Sequence, residues 1–387
     1  MRILFINSIF PNPVEPNKGN FIVKNIAAYP AEAEVTVIAP VPLFLGFRRG
    51  KKSVSIPHQD TIRCNGRQVS VHRPRFILFP RNILRVFIPL LEYLFILPST
   101  IHIYSSWRFD LIHANFASPD GIAATLISKK LKVPLIITEH QASLEQLLAI
   151  PYLRKQMLTA YKHASRVICV SERTKQIVLN ANPRQPNLVV IPNGVDFSRF
   201  QLRTKQPKPE RLIYIGYLIP HKGVHVLLSA LAQLKESGIT PELSIVGSGA
   251  YLAELKRHCQ QLALNEQVSF LGEKNALQVA QLLSEHDAMV HPSFIESFGI
   301  VLVEAMASGL PVVTTYNGGA ESIVTPETGI MVPINDATAL ARGIVQLYAN
   351  WDSYQPEAIR AYAQSRFSIS IVADKTIETY KEVLCRQ

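Results

Sequence analysis

Two glutamates, Glu296 and Glu304, stand eight positions apart in the stretch HPSFIESFGIVLVEAMASGLPVV, on either side of an otherwise apolar run. At 3.6 residues per turn, eight positions are a little over two turns, so the two carboxylates are expected to project to a similar side of a helix. On an ordinary surface helix the pair would simply be solvated. This helix is apolar enough to want burial, and that makes its two carboxylates worth explaining. Carboxylates are good acceptors for hydroxyl groups and poor partners for phosphate. The backbone amides of Ser297, Phe298 and Gly299 lie between them at the expected start of the helix, where an anion is favoured.

Other residues could act on the same kind of ligand. Lys222, in YIGYLIPHKG, follows the first strand of the second half and can meet a diphosphate as a point charge. Gly19, in PNKGNF, follows the first strand of the chain, and its missing Cβ would let a phosphate approach the main chain. His140 ends the strand PLIITEH, where by itself it reads as a polar cap. The segment GSGAYL has the first two glycines of a dinucleotide fingerprint without the third, and it follows the second strand of its half. A nicotinamide site is rejected on both counts. A ligand with hydroxyls, then phosphate, then more hydroxyls satisfies the glutamates and the amides together. That is the chemistry of a nucleotide sugar.

The elements that must position these residues alternate along the chain. Short β-branched runs, RILFINS, EVTVIAP, DLIHAN, PLIITEH, RVICVS and NLVVIPNG, are separated by helical patterns. They are apolar almost throughout, as strands covered on both faces should be. After a polar, proline-containing stretch a second set follows: RLIYIGY, ELSIVG, QVSFLG, DAMVHPS, PVVTT and TGIMVP. The expected fold is α/β, with two Rossmann-like, doubly wound domains facing each other across a cleft. Residues 1–200 form the first domain in this reading, residues 201–365 the second, which carries the glutamates and would bind the nucleotide sugar, and residues 366–387 a C-terminal helix that could pack on either domain.

The chain has 387 residues, 48% of them hydrophobic and 18% charged, which is a globular composition with room for two cores. Its net charge of +11 implies an anionic partner, yet no zinc finger, aromatic RNA-binding signature or long basic run points to nucleic acid. Four scattered cysteines with no ligand spacing suggest neither disulfides nor zinc, and the start of the chain reads as a strand with no secretory signal. A cytoplasmic protein is expected. The segment RPRFILFPRNILRVFIPLLEYLFILPSTIHIYSSWR is intensely apolar but broken by Pro89, Glu92 and Pro98, so it does not read as a membrane span. Basic residues, Arg81 and Arg85 among them, precede its apolar part, as in a segment lying on an anionic membrane surface. A helix buried in the first domain fits the same pattern, and the sequence leaves both open.

The ordered set FPNPVEPNKGNF, TEH, CVSE, IPNGVD, HKG, IVGSG, HPSFIESFG and NGGAESI resembles the retaining GT-B glycosyltransferases of family 4, with their E-x7-E signature, over nearly the whole chain. The resemblance implies transfer of a sugar, in the hexosyltransferase manner, from a nucleotide diphosphate sugar with retention. A uridine donor is the family-level expectation. With the basic apolar segment, the chain also resembles enzymes building surface polysaccharides on glycan or lipid-linked acceptors, with the first domain holding the acceptor. It implies no metal and no cofactor, and the sequence contains no DxD. Carried over, the catalytic residues are Glu296 on the donor-sugar hydroxyls, His140 at the reaction centre, and Lys222 at the diphosphate. Gly19, Ser297, Phe298 and Gly299 also bind the diphosphate, and Glu304 takes the ribose hydroxyls. The loop Ser118 to Gly121, with Asp120, and the basic pair Arg81 and Arg85 fall on the acceptor side. There is one departure: Gly216–Tyr217 stands where the family usually has Gly-Arg, which removes one of two diphosphate cations. A weakly catalytic sugar-nucleotide-binding protein and a nucleotide-sugar epimerase remain the alternatives.

Overall fold

β-Branched runs too apolar to face water form two parallel sheets, each covered by helices. The computed structural model describes residues 1–16, 18–44, 56–64, 66–78 and 85–386. The chain divides into two units, one of Met1–Gly194 with Ile369–Gln387 and the other of Val195–Ser368.

The first unit carries strands β1 (Arg2–Ile6), β2 (Glu34–Ile38), β3 (Val41–Phe44), β4 (Gln59–Cys64), β5 (Arg67–His72), β6 (Arg75–Leu78), β7 (Leu111–Asn115), β8 (Leu135–Glu139), β9 (Arg166–Cys169) and β10 (Leu188–Val190). Its helices are α1 (Asn20–Ala27), α2 (Ile88–Ser106), α3 (Ile122–Leu131), α4 (Leu144–Leu148), α5 (Pro151–His163) and α6 (Glu172–Ala181). The main sheet runs β10-β9-β8-β7-β1-β2-β5-β4, all parallel except β4, which pairs antiparallel with β5. Order reverses between β1 and β7, and ligands of open α/β sheets gather at such switch points. The six strands expected here form. The hairpin β4–β5 and the small β3–β6 pair were not foreseen. Residues of β4 alternate between exposed and half-buried, so this edge lacks the continuous apolar run that marks the inner strands.

The second unit carries β11 (Arg211–Ile215), β12 (Glu242–Val246), β13 (Val268–Gly272), β14 (Ala288–His291), β15 (Val312–Thr315) and β16 (Gly329–Val332). Helices α7 (Val224–Glu236), α8 (Leu252–Gln261), α9 (Ala276–Glu285), α10 (Ile300–Ala307), α11 (Ala337–Ala349) and α12 (Pro356–Phe367) accompany them. The sheet order is β13-β12-β11-β14-β15-β16, parallel throughout, with its switch point between β11 and β14. All six strands match the sequence reading.

The last helix, α13 (Ile369–Leu384), belongs to the first unit. Val372, Ala373, Ile377, Tyr380 and Val383 join the apolar cluster that holds Ile3, Phe5 and Ile22. The buried Tyr380 hydroxyl lies 3.1 Å from that of Tyr29 and also bonds His113 Nδ1. The first unit ends earlier than residue 200. Val195 bridges to Ser368, and Arg360 donates to the carbonyls of Phe197 and Phe200, which fastens this stretch to the second unit.

Candidate active site

In the second unit two loops meet where β11 and β14 end. The first leads from β11 through a single tight turn, Pro220–Lys222, into α7. Gly223 closes it at a φ of 71°, and a Cβ there would collide with the carbonyl of Pro292. Only glycine accepts both the left-handed backbone and the close approach. The second loop, from Pro292 to Gly299, leads from β14 into α10. It is pinned to the first by Phe294 N–H donating to the His221 carbonyl at 2.8 Å. On its other side Glu296 N–H donates to the Asn317 carbonyl at 3.0 Å, and the Thr315 hydroxyl donates to the Ser293 carbonyl.

This double anchorage brings Lys222 Nζ to 2.5 Å from Glu296 Oε1, although 74 residues separate them. His291 Nε2 lies 2.8 Å from the same oxygen. Burial by itself would raise the Glu296 carboxyl, but the bond and charge of His291 and those of Lys222 outweigh it and hold the group at about 2. Glu296 is therefore ionised at neutral pH. Both bonds fall on Oε1, so the carboxylate is oriented by one oxygen. His291 is buried, and the Tyr214 ring stacks on it at 5.7 Å with the planes 10° apart. Sequence reasoning missed both residues. The available signal was a histidine at a strand's exit, five positions before the first glutamate.

The helix between the glutamates is shorter than expected. It begins at Ile300 rather than at Phe298; Glu296 precedes it, as expected, and Phe298 and Gly299 lie in the turn, with Gly299 at a φ of 105°. The two-turn arithmetic from Glu296 to Glu304 is thereby corrected, because four of the eight steps are not helical. Glu304 is half-buried on α10, and Ser297 is half-buried in the loop. The Phe298 side chain packs on Phe367 in the core, and the residue as a whole is buried. Tyr217 is 70% exposed and His221 is exposed, in the loop that presents Lys222.

In the first unit Gly19 closes the loop between β1 and α1 at a φ of 67°, and a Cβ there would meet the Ile9 carbonyl. His140 follows β8, with Nε2 3.0 Å from Asn115 Oδ1 at the end of β7. The rings of Phe21 and Phe116 pack on it at 5.0 and 5.3 Å. Phe116 takes a φ of 68°, costly for a residue with a side chain. Burial pushes His140 down to about 3, against a bond with Asn193 that works the other way, so the ring is neutral at neutral pH. The Asp120 side chain is enclosed within the first unit. It is fully buried in the turn before α3, and its oxygens accept from Ser8, which corrects the acceptor-side expectation for its side chain. Arg81 lies outside the described residues, as does the side chain of Arg85.

Two parallel-sheet units of this topology, each with loops gathered at its switch point, define the GT-B class of glycosyltransferase. Sucrose-phosphate synthase from Thermosynechococcus elongatus has the same fold, with a TM-score of 0.81 at 21% identity over the full length of both chains. Anabaena HepE, crystallised in complex with UDP, gives 0.74 at 22% identity over 99% of this chain and all of its own. The family model for Glycosyltransferase Family 4 matches residues 23–199, and that for Glycosyl transferases group 1 matches residues 196–366. TuaC of Bacillus subtilis, a chain assigned to teichuronic acid biosynthesis as a glycosyltransferase, is 26% identical over 92% of this chain and 91% of its own length. The chain belongs to the group 1, family 4 glycosyltransferases and is an enzyme of the EC 2.4 class.

Proposed function

We propose that this glycosyltransferase moves a sugar from a uridine diphosphate sugar, with retention, to a glycan or lipid-linked acceptor in cell-surface polysaccharide synthesis. The observation that carries the reading is the Lys222–Glu296 ion pair, set beside the Ser297–Gly299 turn at the switch point of the second unit. Glu296 accepts donor-sugar hydroxyls through the oxygen that its protein bonds leave open. Lys222 and the turn's amides take the diphosphate, and Glu304 takes the ribose hydroxyls. Lys222 then neutralises charge on the leaving diphosphate as the glycosidic bond breaks. The acceptor hydroxyl attacks from the same face and passes its proton to the departing phosphate. In the first unit, His140 serves the donor sugar as a neutral hydrogen-bonding group, because a ring held near 3 is no proton donor at pH 7. Gly19 gives the diphosphate access to the main chain. UDP bound to the Anabaena relative supports the uridine donor, and the assignment of TuaC supports the surface polysaccharide.

Contact with an anionic membrane is part of the proposal. Among the described residues no helix is long and apolar enough to cross a membrane. Phe87, just ahead of α2, and Leu90, Leu94, Phe95 and Ile101 along it are all at least 40% exposed. The Phe87 ring is 6.2 Å from Tyr152, on the helix that also carries Arg154 and Lys155. An apolar face with cations beside it suits a lipid surface.

A thermal-shift screen of UDP, GDP and ADP sugars tests the donor, since a ligand bound by the native state raises the melting temperature with its concentration. Transfer or donor-hydrolysis assays follow with the sugar that binds. A parent protein stabilised by none of the three sugar classes contradicts the reading.

A further inference from the structure

Glu92, on α2, and Asp120, in the turn before α3, are both wholly buried and lie against each other. Asp120 is well supplied with donors: Ser8 N–H lies 3.1 Å from each of its oxygens, and the Ser8 hydroxyl lies 3.2 Å from Oδ2. Glu92 is not supplied at all. Both of its oxygens are buried, and neither accepts a hydrogen bond from any described residue. A carboxylate in that position would have surrendered its hydration for nothing. Two touching carboxyls in a dry interior do not both ionise, and the proton goes to the one with fewer donors.

We propose that Glu92 stands as a neutral carboxylic acid donating its proton to the Asp120 carboxylate, and that this bond positions the β1–α1 turn that carries Gly19. The connection can be followed atom by atom. Asp120 holds Ser8 by its amide and hydroxyl. The next residue, Ile9, is fixed by Asn7, which accepts from its amide at 3.2 Å and donates to its carbonyl at 2.8 Å. That carbonyl is the surface on which Gly19 closes, with no room for a Cβ between them. Asp120 is thus a positioning residue for the turn, and Glu92 positions Asp120. Burial raises both carboxyls, and Glu92 lies well above its ordinary 4.5. Lys18, on the turn itself, is the further charge acting on Asp120. Among the described residues, β6 and α3, which also pack on α2, bring no charge to the pair.

That Gly19 serves the donor rests on the function proposed above, whereas the acid pair does not, and the experiment separates them. Infrared spectra of the full chain at pH 7 should show a protonated-carboxyl absorption that Glu92→Gln removes. A glutamate protonated in the folded state and ionised in the unfolded one loses stability as pH rises above 4.5 towards its folded value. The parent's melting temperature should fall over that range, and Glu92→Gln, which always donates, should lack that component. Glu92→Leu fills the space but cannot donate. It should melt no lower than the parent at pH 8, yet raise the donor KM about tenfold through a misplaced turn, and Glu92→Gln should restore it. An infrared band unchanged in Glu92→Gln, or a pH slope shared by parent and variant, overturns the acid pair. A folded Glu92→Leu protein with the parental donor KM overturns the link to the turn. Failure of every nucleotide sugar to stabilise the parent would instead remove the donor reading and leave the infrared result standing.

Discussion

Lys222 is asked to do two things, since it bonds Glu296 at 2.5 Å and is the cation that the β11 loop presents at the switch point. With tyrosine at position 217, the second cation usual in the family is absent. Helix amides contribute only partial charge and do not replace an ammonium in a site of low dielectric. Lys222→Ala should therefore lower kcat by about 10²–10³, the usual loss for one transition-state donor, and Tyr217→Arg in that background should restore part of it. Near-parental transfer by Lys222→Ala would show that another residue holds the diphosphate. His291 makes a different prediction. His291→Phe keeps a ring against Tyr214 but leaves Glu296 with Lys222 as its one remaining partner of the two. A hydrogen bond to a charged group is worth about 1.5–3 kcal/mol, so the donor KM should rise about tenfold or more. Steady-state kinetics at several donor concentrations decides it, and an unchanged KM would mean that Lys222 orients the carboxylate unaided.

At the scale of elements, α2 is the least ordinary helix in the molecule. It runs from Ile88 to Ser106 with Pro98 inside it, buries Glu92, Ile96 and Ile103, and turns Leu90, Leu94, Phe95 and Ile101 outward. The sequence left open whether this segment lay on a membrane or in a core, and the helix has one face packed and one exposed. The double variant Leu90→Glu/Leu94→Glu should lose most of its sedimentation with vesicles containing anionic lipid while donor-induced stabilisation stays parental. Both substituted positions are over 40% exposed, so the core behind them is not touched. Equal sedimentation of parent and variant would leave the apolar face without a membrane role.

The whole molecule offers a convenient readout, because its two tryptophans fall one in each unit, Trp107 in the first and Trp351 in the second. A Trp107→Phe background makes fluorescence report the second unit, which matters because a two-unit chain need not unfold in one step. Glu296 is held at about 2, below its ordinary 4.5, so the unfolded state takes up its proton first as pH falls. The stability it contributes is complete above 4.5 and is lost as the pH drops from there towards 2. Acid unfolding followed at Trp351 should show that loss, and Glu296→Gln should flatten the profile in the same window. A parallel fall in both proteins would assign the acid sensitivity to other carboxylates. What the sequence alone determined was everything written in local pattern: twelve strands, two doubly wound units, the loops carrying Gly19, His140, Lys222 and Glu296, and the helix carrying Glu304. Continuous apolar runs and turn residues are local, and they survive folding unchanged. Tertiary structure alone decided which of those residues meet. The pairing of β11 with β14 brings Lys222 to Glu296 and recruits His291. Packing of Tyr380 beneath the first sheet assigns α13 to the first unit. The depth of Asp120 turns an expected acceptor contact into an internal support, because burial and partnership are properties of the assembled sheet that residue spacing does not encode.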